Sequence, residues 1–158
     1  MITGGNRRRR CISVSPPDKW TDIRGHHSGR AGRLQTGITV FGTSAGYIAA
    51  LKDSGVRPAS QFDLGPLKAL LSTGSPLSPE GYRWVYEKVG SDIWLGSTSG
   101  GTDPCTGFLG ACPILPVRAG ELQCRCLGVN AQAFDEGGNR LVNEVGELVI
   151  TEPMPSMP

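Results

Sequence analysis

Two turns rich in small polar residues hold the groups best suited to chemistry: STGSPLSPEG at residues 72–81 and GSTSGGTDP at residues 96–104. The second closes on Thr102 and Asp103, a hydroxyl beside a carboxylate. Backbone N–H groups gathered in such turns suit phosphate oxygens, and a carboxylate among them suits a hard cation such as Mg2+. The first turn follows the apolar residues Leu67, Ala69, Leu70 and Leu71, and the second follows Ile93, Trp94 and Leu95. A helical pattern lies between them, so the order is strand, turn, helix, strand, turn. In a parallel α/β sheet, ligands bind at the carboxyl ends of strands, and two such turns can build one wall of a site. Each feature also has a plainer reading. Asp103 before Pro104 can simply open a turn. Gly100 and Gly101 can be loop glycines, and the Gly74-Ser75-Pro76 run can be the approach to a helix.

The elements that must position these turns follow from periodicity and capping. Residues 38–41 form a short β-branched and aromatic run, read as a strand. Thr43 or Ser44 can cap a helix reaching about Ser54, with Tyr47, Ile48 and Leu51 on one face and Gly55 closing it. Residues 56–66 read as loop and 67–71 as a strand. Ser78 is a natural N-cap, followed by Pro79 at the first helical position and Glu80 in the first turn. That helix turns Tyr82, Val85, Tyr86 and Val89 toward a core and ends at Gly90. Residues 92–95 are the next strand. Beyond Gly107 the helical signal disappears, and residues 121–127, 130–134 and 144–151 read as short strands, with Asp135-Glu136-Gly137-Gly138 as a hairpin turn. The fold class expected is α/β: a partial parallel α/β subdomain followed by a mostly antiparallel β segment. Phe41, Tyr47, Trp84 and Trp94 read as packing residues, leaving Gly42 and Thr43 as pocket candidates.

Composition bounds the rest. A chain of 158 residues has room for one domain with a modest core. Only 38% of residues are hydrophobic, and 23 Gly with 12 Pro imply abundant loops. The chain divides near Thr36. Residues 1–36 are a basic tail, disordered or unrelated to the remainder of the chain, with Arg7 to Arg10 in a row. Such a run can touch nucleic acid, but no interleaved aromatics or reading module accompany it, so nucleic acid is not the expected partner. No apolar run approaches the roughly 20 residues of a membrane span, and no secretory segment follows the basic start. Five cysteines, Cys11, Cys105, Cys112, Cys124 and Cys126, are too few and too odd in number for a disulfide scaffold. They read as reduced thiols of a cytoplasmic protein rather than as a zinc site.

From Ile38 onward the residues resemble a known family. The stretches STGSPLSPEGYRWVYEKVG and SGGTDPCTGFLGACPILPVRAGELQCRCLGVNAQAFDEGGNRLVNEVGELVITEPMPSMP look like those of acetoacetyl-CoA synthetases (acetoacetate–CoA ligases), which belong to the adenylate-forming superfamily. FGTSAGYI at residues 41–48 resembles the segment lining the acyl side of the family's pocket. TGSPL resembles the turn that contacts adenine, SGGTD the loop that contacts the α-phosphate and the metal, and VGELVI a late strand of the large domain. The resemblance covers residues 38–158, so residues 37–158 are expected to be a partial AMP-binding domain.

The resemblance implies a two-step reaction. A carboxylate attacks the α-phosphorus of ATP, giving an acyl-adenylate and pyrophosphate, and the thiol of coenzyme A then displaces AMP. It implies roles residue by residue: Gly74, Ser75 and Pro76 beside adenine; Ser99, Gly100, Gly101 and Thr102 around the phosphate; Gly42, Thr43, Thr73 and Gly100 at the acyl pocket; and Asp103 on Mg2+. No catalytic residue is assigned. In acetyl-CoA synthetases a tryptophan matches Gly100, so a glycine there is expected to make room for a longer acid such as acetoacetate. The small-molecule partners implied are ATP, acetoacetate and coenzyme A; the oligomeric state is left open. The family's phosphate loop is expected before Ile38, and its ribose-binding aspartate and catalytic lysine after Pro158, and no such motifs are present. The chain is therefore expected to be a fragment with no turnover alone, its sheet leaving apolar faces and strand edges exposed. The alternative is a non-catalytic nucleotide-binding or interaction module on the same fold.

Overall fold

The structure is a computed structural model describing residues 11–13 and 38–157. The Arg7 to Arg10 run, His26, His27 and the rest of the basic segment lie outside the described residues. Only Cys11–Ser13 of that segment is described, as strand β1, paired parallel with β2.

The first sheet has the order β1-β2-β3-β4, every described pairing in it parallel. Its strands β2 (Val40–Ser44), β3 (Ala69–Thr73) and β4 (Trp94–Ser97) alternate with helices α1 (Ala45–Asp53) and α3 (Pro79–Lys88). Each strand begins about two residues later than periodicity suggests, because its polar end (Thr43-Ser44, Ser72-Thr73, Gly96-Ser97) stays paired in the sheet. A four-residue helix α2 (Pro58–Gln61) interrupts what reads as loop, started by Pro58 in its first turn.

Capping sets both long helices. The Ser44 hydroxyl accepts from the Tyr47 N–H at 3.1 Å, and the Ser78 hydroxyl accepts from the Gly81 N–H at 3.1 Å. Each cap satisfies one of the orphan donors of the first turn. Gly55 closes α1 in the left-handed region, with φ 71. The Glu80–Arg83 ion pair on α3 is exposed and adds little.

The core lies between these helices and one sheet face. Phe41, Leu70 and Leu95 occupy matching register positions on β2, β3 and β4 and pack with Ile48 of α1 and Tyr82 and Val85 of α3. Val85 is fully buried. Trp84 is buried as expected, while Trp94 is half-buried.

After β4 the chain builds two antiparallel sheets. One has the order β5-β6-β7, from β5 (Ser99–Gly101), β6 (Thr106–Gly110) and β7 (Cys124–Arg125). The other has the order β10-β8-β9, from β8 (Ala131–Phe134), β9 (Arg140–Leu141) and β10 (Glu147–Ile150). The hairpin turn expected after residue 134 is present: Asp135 accepts from the Asn139 N–H at 2.7 Å. The β5–β6 hairpin is not foreseen by the sequence reading, and the strand expected over residues 121–127 contracts to two residues.

Candidate functional site

The two polar turns leave neighbouring strands. Ser72 of β3 pairs with Ser97 of β4, so both turns begin at the same level of the sheet. Two hydrogen bonds join them there. The Thr98 N–H donates to the Ser72 carbonyl at 2.9 Å, and the Thr73 hydroxyl donates to the Thr98 carbonyl at 3.1 Å. The roots of the expected adenine turn and phosphate loop are thus fastened to each other.

Gly74 follows with φ 85, a conformation that side chains disfavour, and swings Ser75 and Pro76 outward. These two residues, with Ala45, Gly46, Ala49 and Lys52 of α1 and the start of α3, line an open cleft of about 190 Å3. That is below the ~300 Å3 typical of a complete small-molecule pocket, a size fit for part of a nucleotide. A larger cleft of about 270 Å3 lies between α3 and residues 117–119 and includes none of the expected site residues. The smaller cleft is the one that adjoins the fastened turns, through Ser75 and Pro76.

The second turn becomes the β5–β6 hairpin, with Thr102, Asp103, Pro104 and Cys105 at its tip. The Cys105 N–H donates to the Thr102 carbonyl at 3.0 Å, and Cys105 sits in the left-handed region with φ 52. A non-glycine residue there costs on the order of 1 kcal/mol, so the turn is held in a disfavoured shape. Thr102 and Asp103 are exposed, and no ion pair holds Asp103 among the described residues. An open carboxylate beside a hydroxyl, on a turn preceded by two glycines, fits the oxygen-ligand chemistry of Mg2+, which binds through one or two carboxylates plus phosphates.

Two expected residues are placed differently from the sequence reading. Successive side chains of a strand point to opposite faces. Thr43 shares the helix-covered face with Phe41 and is buried, whereas Gly42 lies on the other face with Leu71, Thr73 and Gly96. Gly42 and the Thr43 side chain therefore face opposite sides of the sheet. The Thr43 hydroxyl is buried with no protein hydrogen-bond partner, as is that of Ser72 beside it. Gly100 has a structural use of its own. A Cβ there would press on the Thr106 carbonyl and stand 2.7 Å from Gly107 Cα. The absent side chain lets β5 and β6 approach, at a point where the register shifts between Ser99 and Gly100. Backbone crowding by itself calls for a glycine here. Gly42 is the open position, with nothing within 4 Å of its Cβ site.

Sequence reasoning missed Thr98, whose backbone bonds both to β3 and to Thr73. It also missed the tie between Tyr82 and the distal segment: the Tyr82 hydroxyl donates to the Glu121 carbonyl at 3.3 Å. Burial pushes the Tyr82 phenol above its ordinary range, so it stays protonated as a donor. The alternation through residues 106–110 is too weak, with glycines at two of five positions, to announce the strand that completes the hairpin.

No protein-family model matches the chain. Comparison with individual proteins is decisive. The chain is 45% identical over 122 residues to acetoacetyl-CoA synthetase of Xenopus tropicalis, covering 77% of this chain and 18% of that protein. It is 47% identical over 121 residues to acetoacetyl-coenzyme A synthetase of Rhizobium meliloti (strain 1021), covering 77% and 19%. Malonamoyl-CoA synthetase vrtB of Penicillium aethiopicum is 43% identical over 121 residues, covering 73% and 17%. Among solved structures, acetoacetyl-CoA synthetase from Streptomyces lividans superposes with a TM-score of 0.70 at 52% identity, over 78% of this chain and 20% of that one. The anthranilate CoA ligase AuaEII in complex with anthranoyl-AMP, at 22% identity and a TM-score of 0.60 over 72% and 21%, shares the fold. The chain spans about a fifth of the length of these proteins. Along that segment it belongs to the acetoacetyl-CoA synthetase family and carries part of the large-domain fold of the adenylate-forming superfamily.

Proposed function

We propose that this segment supplies the adenine and α-phosphate side of an ATP-dependent acid–CoA ligase site that activates acetoacetate as an acyl-adenylate and passes it to coenzyme A. The observation that carries the reading is the pair of hydrogen bonds fastening the two turns, Thr98 to Ser72 and Thr73 to Thr98. Fastened roots let one ligand span both turns without the entropy of ordering two independent loops. Gly74, Ser75 and Pro76 border the base. The Thr102 hydroxyl donates to an α-phosphate oxygen, and the amides of Ser99, Gly100 and Gly101 line the approach. Asp103 would hold Mg2+, which, when bound, offsets the polyphosphate charge and polarises the phosphorus. Gly42 and Thr73 face the acyl group from the open face of the sheet. The relative named for malonamoyl-CoA synthesis leaves room for other short acids with a polar β-substituent. Small-molecule partners and a cytoplasmic setting complete the reading. Among the described residues no helix is long and apolar enough to cross a membrane.

Calorimetric titration with ATP and Mg2+ tests the site. Weak, Mg2+-dependent binding is expected, reduced at least about tenfold (~1.4 kcal/mol) by Asp103→Asn and also by Thr102→Val. Binding indifferent to both substitutions would remove the reading. Acetoacetate-dependent AMP formation tests the activity itself.

A further inference from the structure

The thiols of Cys124 and Cys126 are not used by the proposed reaction, yet the fold gathers them. Cys124 pairs directly with Gly110 across the β6–β7 ladder, and the ladder continues as the Cys126 N–H donates to the Phe108 carbonyl at 2.9 Å. Opposed residues of an antiparallel pair share a face, so the Gly110 Cβ site marks the face of Cys124. Cys126 Sγ lies 3.2 Å from that Cβ site and 3.3 Å from the one at Gly107. The Cys126 sulfur therefore lies over two glycines, on the face that Cys124, two residues earlier along the extended chain, shares. Both residues are half-buried. We infer that Cys124 and Cys126 form a dithiol site for a thiophilic ion of low coordination number, monovalent copper being the type.

Geometry and ligand count choose among the partners a dithiol could take. Two residues of extended chain separate Cα atoms by roughly 6.6–6.8 Å, the far end of what a disulfide spans, which is about 4.4–6.8 Å. A metal bridge relaxes that limit, since two thiolate bonds of about 2.3 Å let the sulfurs stand up to roughly 4.6 Å apart. No group of three or more His, Cys, Asp or Glu side chains comes together to hold a metal among the described residues. A four-ligand zinc site is therefore not formed by them, whereas soft thiolates with few ligands select monovalent copper. Burial and the neighbouring Cys124 push the Cys126 thiol up. Binding replaces two S–H protons with one ion: two thiols and Cu+ give a bis-thiolate copper anion and two released protons, with no change of oxidation state.

The test is an anaerobic titration of the full chain with Cu+ against a competing chelator. One tight equivalent is expected, with two protons released and a sulfur-to-copper charge-transfer band. Cys124→Ala and Cys126→Ala should each weaken binding at least a hundredfold, while a Cys11→Ala, Cys105→Ala, Cys112→Ala variant keeps it. Phenylarsine oxide, which bridges paired thiols with loss of water, gives a second readout on the unmodified chain: it should shield Cys124 and Cys126 together from alkylation. Tight binding that survives either single substitution, dependence on Cys105 or Cys112, or an arsenical that shields neither thiol would overturn the assignment. The ATP titration is independent of these outcomes, so each reading can fail alone.

Discussion

The parallel sheet with its helices and the antiparallel segment after β4 are built on different terms. In the first, β2, β3 and β4 each contribute to one apolar cluster between sheet and helices, and Ile48, Leu70, Val85 and Leu95 are almost wholly removed from water. In the second, Ala131 and Met154 are the buried apolar residues, while Leu127, Val142 and Val145 are exposed. Its hairpins rest on ladder hydrogen bonds, on the Asp135 turn and on the Tyr82–Glu121 tie. The site residues sit where the two regions meet: the packed half fixes the roots of both turns, and the loosely covered half carries Thr102 and Asp103 outward. Rigidity and exposure are thus divided between neighbouring parts of one short segment.

The largest expected effect sets the two regions against each other. Leu95→Ala should cost about 2–5 kcal/mol in chemical or thermal unfolding, while Leu127→Ala should stay within about 0.5 kcal/mol. Equal costs would mean the cluster is not the source of stability. Glycines sharpen the contrast at the junction. Gly100→Ala drives a Cβ into β6 backbone and should cost on the order of 1–3 kcal/mol and weaken ATP binding as the hairpin shifts. Gly42→Ala enters open space and should be close to neutral for folding; the same calorimetry and unfolding curves decide both. Thr73→Val removes the hydroxyl that joins the turns, at about 0.5–1.5 kcal/mol, and amide exchange at residues 98–102 should quicken. Thr43→Val is expected to be neutral or slightly stabilising, because it removes a buried hydroxyl without a partner. A loss of acid or nucleotide binding on that change would return Thr43 to the pocket.

The smallest effect belongs to the distal turn. The Asn139 N–H holds the Asp135 carboxyl below its ordinary range. A depressed folded value means its contribution is present above the unfolded carboxylate range and is lost as pH falls through the folded value. An NMR titration of Asp135 should show that low midpoint, and Asn139→Ala, which removes the side-chain amide bonds but keeps the N–H, should raise it part of the way.

Much of this was legible in the residues because local signals and tertiary packing agree. Ser44, Ser78 and Pro79 announce the helix starts, and the 3.6-residue spacing of Tyr82, Val85 and Val89 announces the buried face. The Asp135–Gly138 run announces its hairpin. Strand ends are harder to read because Thr43, Ser72 and Ser97 are polar yet buried at the top of the sheet, where pairing outweighs hydropathy. The β5–β6 hairpin escaped because glycines carry no alternation. At Gly100 composition shows that a side chain is absent but not that its Cβ would meet the β6 backbone.

The central claim is that the turn at Gly74-Ser75-Pro76 and the hairpin tip at Thr102-Asp103 serve one nucleotide. Paramagnetic broadening of backbone amides by Mn2+ with ATP measures this directly. We expect resonances of residues 74–76 and 99–103 to broaden together, and both effects to vanish in Asp103→Asn. Broadening centred on Asp135 and Glu136, or on one turn without the other, would contradict the account.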